Sequence, residues 1–208
     1  MTAREEILAR VRDALAAAPA GVAPTAEPDG PGLRAYRTCT EDGLDIFLER
    51  LRHYGAHTRR VADRKLRRTV RATLADRGVR RVVAPEGIPE PWLGKVERLT
   101  DTPALDARAL DEADAVITTC ALAIAATGTI VLDGSAGMGR RALSLVPDYH
   151  LCVVRSGQIV SSVPEAIARL DATRPLTFIS GPSATVDIEM VRVSGVHGPR
   201  RLEVIVGE

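Results

Sequence analysis

Cysteine is scarce and scattered in this chain of 208 residues: Cys39, Cys120 and Cys152 stand far apart and form no CxxC pair. An odd, dispersed set argues against a disulfide framework and against a tetrathiolate zinc or iron–sulfur site. With four histidines in the whole sequence, a mixed Cys/His site would need long-range assembly. The expectation is free thiols in a reducing compartment, with no metal or cofactor bound by this chain. Aromatic residues are as rare, 3% of the chain. A core this poor in rings must be filled by Leu, Val, Ile and Ala, which suits a helix-covered sheet. A dominant charge is also missing: the net value is +1, too small to steer the whole molecule to nucleic acid or an anionic membrane. No apolar run approaches the roughly 20 residues of a membrane helix. The start, Met1 to Glu6, runs into an amphipathic pattern rather than a signal-peptide core, so the expected location is cytoplasmic.

What the sequence does contain is alternation. Thr2 and Glu5 have capping-box spacing, and Ile7, Leu8, Val11 and Leu15 make one apolar stripe, predicting an amphipathic helix over 1–18. Residues 19–32 hold four Pro and three Gly and read as a tether. A helix on a tether either packs back on the body or docks on another chain. From residue 33 to 208 the pattern is that of one α/β domain. Helices are expected around Leu44–Leu51, from an Asp63 N-cap to Gly78, over Cys120–Ala126, and from Pro164 to Leu170. Strands are expected at 57–61, 81–84, 96–99, 115–118, 129–132, 151–154, 176–180 and 202–206. Apolar strands alternating with helices predict a mainly parallel sheet covered by helices on both faces. In such folds the ligand crevice lies at the carboxyl ends of the strands.

Charge is uneven along the chain. Between Arg50 and Arg81 stand twelve basic residues against two acidic ones. Arg64, Lys65, Arg67, Arg68 and Arg71 fall opposite the Leu66/Val70/Leu74 stripe, forming one exposed face. That face reads as a solvated helix surface or a site for an acidic partner. No stacking aromatics interleave with it, so nucleic acid is not expected.

Four segments of the second half offer polar chemistry. Thr127, Gly128 and Thr129 form a turn whose glycine permits close backbone approach and whose hydroxyls can donate to an anion. Asp133 to Gly139 is a glycine-rich loop followed by Arg140 and Arg141, suited to phosphate or carboxylate. It is neither a Walker A loop nor a dinucleotide fingerprint. Gly181, Ser183 and Thr185 follow a strand and lead to an expected helical turn, where free N–H groups would meet an anion or a hydroxyl would cap the helix. Asp187 and Glu189 are carboxylates for acid–base work or a cation. His197, flanked by Gly195 and Gly198, offers a titratable group beside the fixed charge of Arg200. The expected crevice joins Thr127–Thr129, Gly181–Thr185 and His197–Arg200. Its candidate catalytic residues are His197, Asp187 and Glu189, and its substrate-binding residues also include Arg140.

Three stretches carry a resemblance: ATGTIVLDGSAG (126–137), HLCVV (150–154) with Pro147 just before it, and SGPSATVDIEMVRVSGVHGPRRLEVIV (180–206). Together they resemble the LUD-domain family, most strongly over 113–206. The resemblance implies a fold like that of sugar-phosphate isomerases, CoA-transferases and formyltetrahydrofolate cyclo-ligases. It also implies work beside two iron–sulfur proteins in the oxidation of L-lactate to pyruvate, with the clusters in those partners. The chain would then be an accessory or substrate-handling subunit. The other reading is an autonomous enzyme on a phosphorylated or acyl-CoA-like substrate.

Overall fold

The computed structural model describes residues 3–17, 43–185, 193–194 and 198–208. The tether, Cys39, Asp187, Glu189 and His197 lie outside the described residues. The chain divides into two units, 1–36 and 37–208. The first contains α1 (Ala3–Ala17), on which Ile7, Leu8 and Val11 are exposed.

The second unit runs α2 (Gly43–His53), β1 (His57–Val61), α3 (Asp63–Asp76), β2 (Arg81–Val83), α4 (Glu90–Leu93), β3 (Glu97–Leu99), α5 (Ala107–Asp111) and β4 (Ala115–Thr118). It continues with β5 (Leu122–Ile124), β6 (Thr129–Leu132), β7 (Tyr149–Arg155), β8 (Ile159–Val160), α6 (Val163–Arg169), β9 (Thr177–Ile179), β10 (Ala184–Thr185), β11 (Val193–Ser194) and β12 (Arg201–Gly207).

Six strands form one sheet in the order β1-β12-β7-β4-β2-β3, and every neighbouring pair is parallel. Tyr149, Leu151 and Val153 point to one face, where Leu66, Val70 and Leu74 of α3 and Trp92 and Leu93 of α4 cover them. Cys152, Val154, Leu202 and Val204 point to the other. Strands buried on both faces show no apolar alternation, which is why β7 reads as a continuous run.

The mixed α/β architecture with its parallel sheet is as expected, but one cover is not made of helices alone. Opposite α3, the sheet meets Phe47, Leu48 and Leu51 of α2 together with Ala123, Ile130 and Leu132 of a second sheet, ordered β8-β5-β6-β9. Leu122, Ile124 and Val131 on its outer side pack with Ala166 of α6. The expected helix over Cys120–Ala126 is therefore strand β5, hairpinned to β6. Its Leu-Ala-Ile run is wholly buried, so periodicity could not separate helix from strand. Asp63 is the first residue of α3 rather than its cap, which is Ala62. Its carboxylate pairs with Arg155 instead. The described part of the segment after Ser180 is extended, not helical: Ala184 and Thr185 pair antiparallel with Ser194 and Val193.

Cys120 and Cys152 are free and buried. The neighbouring Cys152 thiol, and then burial, push the Cys120 thiol well up, so it stays protonated. No helix among the described residues is long and apolar enough to cross a membrane.

Candidate functional site

A cavity of about 320 Å³ opens between β9, the 180–184 loop and the amino ends of β7 and β12. It lies at the amino ends of these two parallel strands, while the 180–184 loop follows β9 of the second sheet. Residues 198–199 lead into β12, and the helical turn Arg141–Ser144 leads toward β7. The floor is His150 and Leu202, which are register partners on β7 and β12. Phe178 and Leu145 form half-exposed apolar walls, and Thr177, Ser180 and Ser183 add hydroxyls.

Local geometry explains how the loops come together. Gly181 has φ +89, and a Cβ there would lie 2.5 Å from the Tyr54 Cβ, so the loop can press against the end of α2 only as glycine. The Ser183 N–H donates to the Pro199 carbonyl at 2.9 Å, tying the 181–184 loop to the 198–199 segment. That amide is consequently occupied within the protein. Thr127, Thr129 and Ser180 hydroxyls form a chain with links of 2.6 and 2.7 Å, so the Thr127–Thr129 turn reaches the cavity only through Ser180. Gly128 serves packing: a Cβ there would lie 2.6 Å from the Arg50 Cβ.

Charge at the site comes from Arg141, the second of the two arginines that follow the glycine-rich loop. The Arg141 side chain is exposed at the cavity wall and forms no ion pair with a described residue. Arg140, expected as the anion ligand, turns away. Its guanidinium donates to both Asp101 carboxylate oxygens, at 2.7 and 3.0 Å, and to the Leu105 carbonyl. The Arg140 hydrogen bond holds the Asp101 carboxyl below its ordinary value. Arg200 is likewise spent outside the cavity lining, donating to Asp148 at 2.6 Å on the surface. At the floor, the His150 Nε2 lies 2.8 Å from the Thr118 hydroxyl, and burial pushes the imidazole down to about 4. At neutral pH it is an uncharged hydrogen-bonding group.

The structure thus brings Gly181 and Ser183 together with Gly198, Pro199, Arg141 and His150. It does not bring Arg140 or Arg200 to the cavity. Thr185 is placed in β10 by its pairing with Val193. His150 and Thr177 were missed, and of the two arginines read as suited to an anion the one singled out was Arg140 rather than Arg141. The one signal for His150 was a histidine opening an apolar strand.

The glycine-rich loop lies elsewhere, at the carboxyl ends of β2 and β4. The Gly137 N–H donates to the Glu86 carbonyl and its own carbonyl accepts from Thr119, while Asp133 accepts from the Ser135 N–H. It borders a wide trough of about 950 Å³ whose Arg98 is already tied to Glu90 and to the Ala84 and Pro85 carbonyls. Among the described residues, no group of three or more His, Cys, Asp or Glu is arranged to hold a metal ion.

Residues 44–206 match the model of the LUD domain. The chain belongs to the LUD domain family. Similar relatives include the Lactate utilization protein C of Deinococcus radiodurans, 52% identical over 78% of each chain. That of Shouchella clausii is 37% identical over 45% of this chain and 44% of its own. A crystal structure of a DUF162 family protein from Deinococcus radiodurans superposes with TM-score 0.68 and 44% identity, covering 80% of this chain and 96% of that one. Within this LUD domain the motif segments divide between the two cavities: GSAG borders the trough, and GPSA with the following Gly-Pro lines the small cavity.

Proposed function

We propose that this LUD-domain protein works in lactate utilisation, as a component of a system that oxidises L-lactate to pyruvate together with iron–sulfur partner proteins. The observation that carries the reading is the 52% identity to Lactate utilization protein C across more than three quarters of both chains. Lactate and pyruvate are small carboxylates. The cavity of about 320 Å³, with Arg141, several hydroxyls and two apolar walls, suits a ligand of that class. Arg141 supplies the charge and Ser180, held by Thr129, a hydroxyl of fixed orientation. Oxidation of a 2-hydroxy acid to a 2-oxo acid releases two electrons, which need a redox carrier. In this reading the partners carry them, and this chain handles the substrate. The autonomous-enzyme reading drew on the glycine-rich loop with Arg140 and Arg141; Arg140 is engaged by Asp101 and Leu105, and Arg141 lines the small cavity rather than the trough beside that loop.

The test is genetic and biochemical. A strain lacking the gene should lose growth on L-lactate and regain it with the wild-type chain but not with Arg141→Ala. A pull-down from lactate-grown cells should bring iron with the partners. Normal growth of the deletion strain would remove the reading.

A further inference from the structure

The basic run between Arg50 and Arg81 is divided by the structure into used and unused charge. Arg59 and Arg77 donate to Glu203, and Arg60 pairs with Glu208 and Asp45. Arg64, Lys65, Arg67, Arg68 and Arg71 are exposed on α3 and enter no ion pair with a described residue. Arg64, Arg68 and Arg71 follow helical i, i+4, i+7 spacing, so they stack along one side of α3. That row ends in a notch of about 390 Å³ where Arg71, Arg80 and Lys95 surround Ala75, Val79, Leu93 and Val96. The Arg71 guanidinium lies against Gly94, where a Cβ would come within 2.7 Å of Nε. Lys95 enters no ion pair with a described residue, and Arg80 feels Asp114 without an ion-pair contact.

We infer that the α3 cation row and the Arg71/Arg80/Lys95 notch form a docking site for an acidic polypeptide segment that places one apolar side chain in the notch. Charge complementarity selects an acidic occupant, since among the described residues three cations and no carboxylate line the notch. The apolar floor selects a polypeptide over nucleic acid. No aromatic ring lines the notch among the described residues, and Trp92 of the neighbouring α4 is buried, so a base finds no stacking partner there. α3 covers the sheet face opposite the one that carries the small cavity, so a docked partner leaves the cavity open.

The test uses the full chain and a labelled synthetic peptide of glutamates flanking a single leucine. Anisotropy titration should show binding that weakens as salt is raised. The exposed substitutions Arg68→Glu, Arg71→Glu and Lys95→Glu, combined, should weaken binding at least about tenfold with an unchanged melting temperature. Replacing the leucine by serine should weaken it several-fold. The inference is overturned if the peptide does not bind at low salt, or if the charge reversals leave its affinity intact. It is also overturned if single-stranded DNA of equal charge binds more tightly than the peptide. Salt-sensitive self-association abolished by the same reversals would instead make a second copy of this chain the occupant.

Discussion

His150 and Thr118 meet side chain to side chain, 2.8 Å apart, on neighbouring parallel strands beneath the candidate cavity. Both are closed off from solvent, which makes the imidazole reluctant to take a proton.

This reluctance has a pH signature. An unfolded histidine titrates near 6.5, whereas burial lowers His150 in the folded chain to about 4. Between these values the unfolded state binds more protons, so the contribution is complete above about 6.5 and is lost as pH falls toward 4. Its full size is roughly 3 kcal/mol. Denaturant titrations at several pH values should show His150→Gln with a flatter acid limb than the wild-type chain. Parallel limbs would show that the imidazole protonates freely in the folded state.

How much of this was legible beforehand depended on whether neighbours in the chain or in space decide a residue's position. Strands such as 115–118 and 129–132 announced themselves by β-branched runs, and α3 by its Leu66/Val70/Leu74 stripe. The segment Leu122–Ile124 did not, because a strand enclosed between a parallel sheet and a helix has no polar side to mark its period. At the site, Arg140 and Arg141 were chemically equivalent on paper. They differ because Asp101, far off in sequence, takes one and leaves the other at the cavity. His150 was hidden by its own strand, since a pocket floor is a property of packing.

Glu203 offers a second test of buried charge. Its carboxylate, nearly inaccessible, accepts from Arg59 and Arg77 and from the Tyr149 hydroxyl. Burial alone would raise this carboxyl, but the hydrogen bonds from Arg59 and Arg77 outweigh it and bring it below its ordinary value. Its stabilisation is therefore present above the unfolded carboxyl range and lost on acidification. Glu203→Ala removes the counter-charge of two partly exposed arginines and the partner of the buried Tyr149 hydroxyl, and should cost about 1–3 kcal/mol, read as a fall in the denaturation midpoint. A loss below about 1 kcal/mol would mean that the guanidiniums re-hydrate without penalty.

Gly128→Ala separates packing from ligand binding in the Thr127–Thr129 turn. The residue has φ +60, and the added methyl would meet Arg50 and the α2 backbone at 2.6–3.0 Å. Strain and overpacking together should cost about 1–3 kcal/mol. If stability is unchanged while carboxylate binding falls, the turn acts on the ligand directly.

Arg141 and Arg200 decide the site itself. Arg141 stands at the cavity wall without an ion-pair partner among the described residues, whereas Arg200 is 63% exposed and already neutralised by Asp148. An exposed pair of that kind contributes under about 1 kcal/mol, so Arg200→Ala should melt like the wild type and bind the same ligand equally well. Arg141→Ala removes the one guanidinium lining the cavity among the described residues and should weaken lactate or pyruvate binding about tenfold or more, a change of roughly 1.4 kcal/mol, again with the melting temperature kept. Calorimetric titration of the isolated chain at low salt reads both variants. Equal weakening by the two would place the ligand over the Arg200–Asp148 surface rather than in the cavity. Undiminished binding by Arg141→Ala would take the carboxylate site away from the β9 cavity altogether.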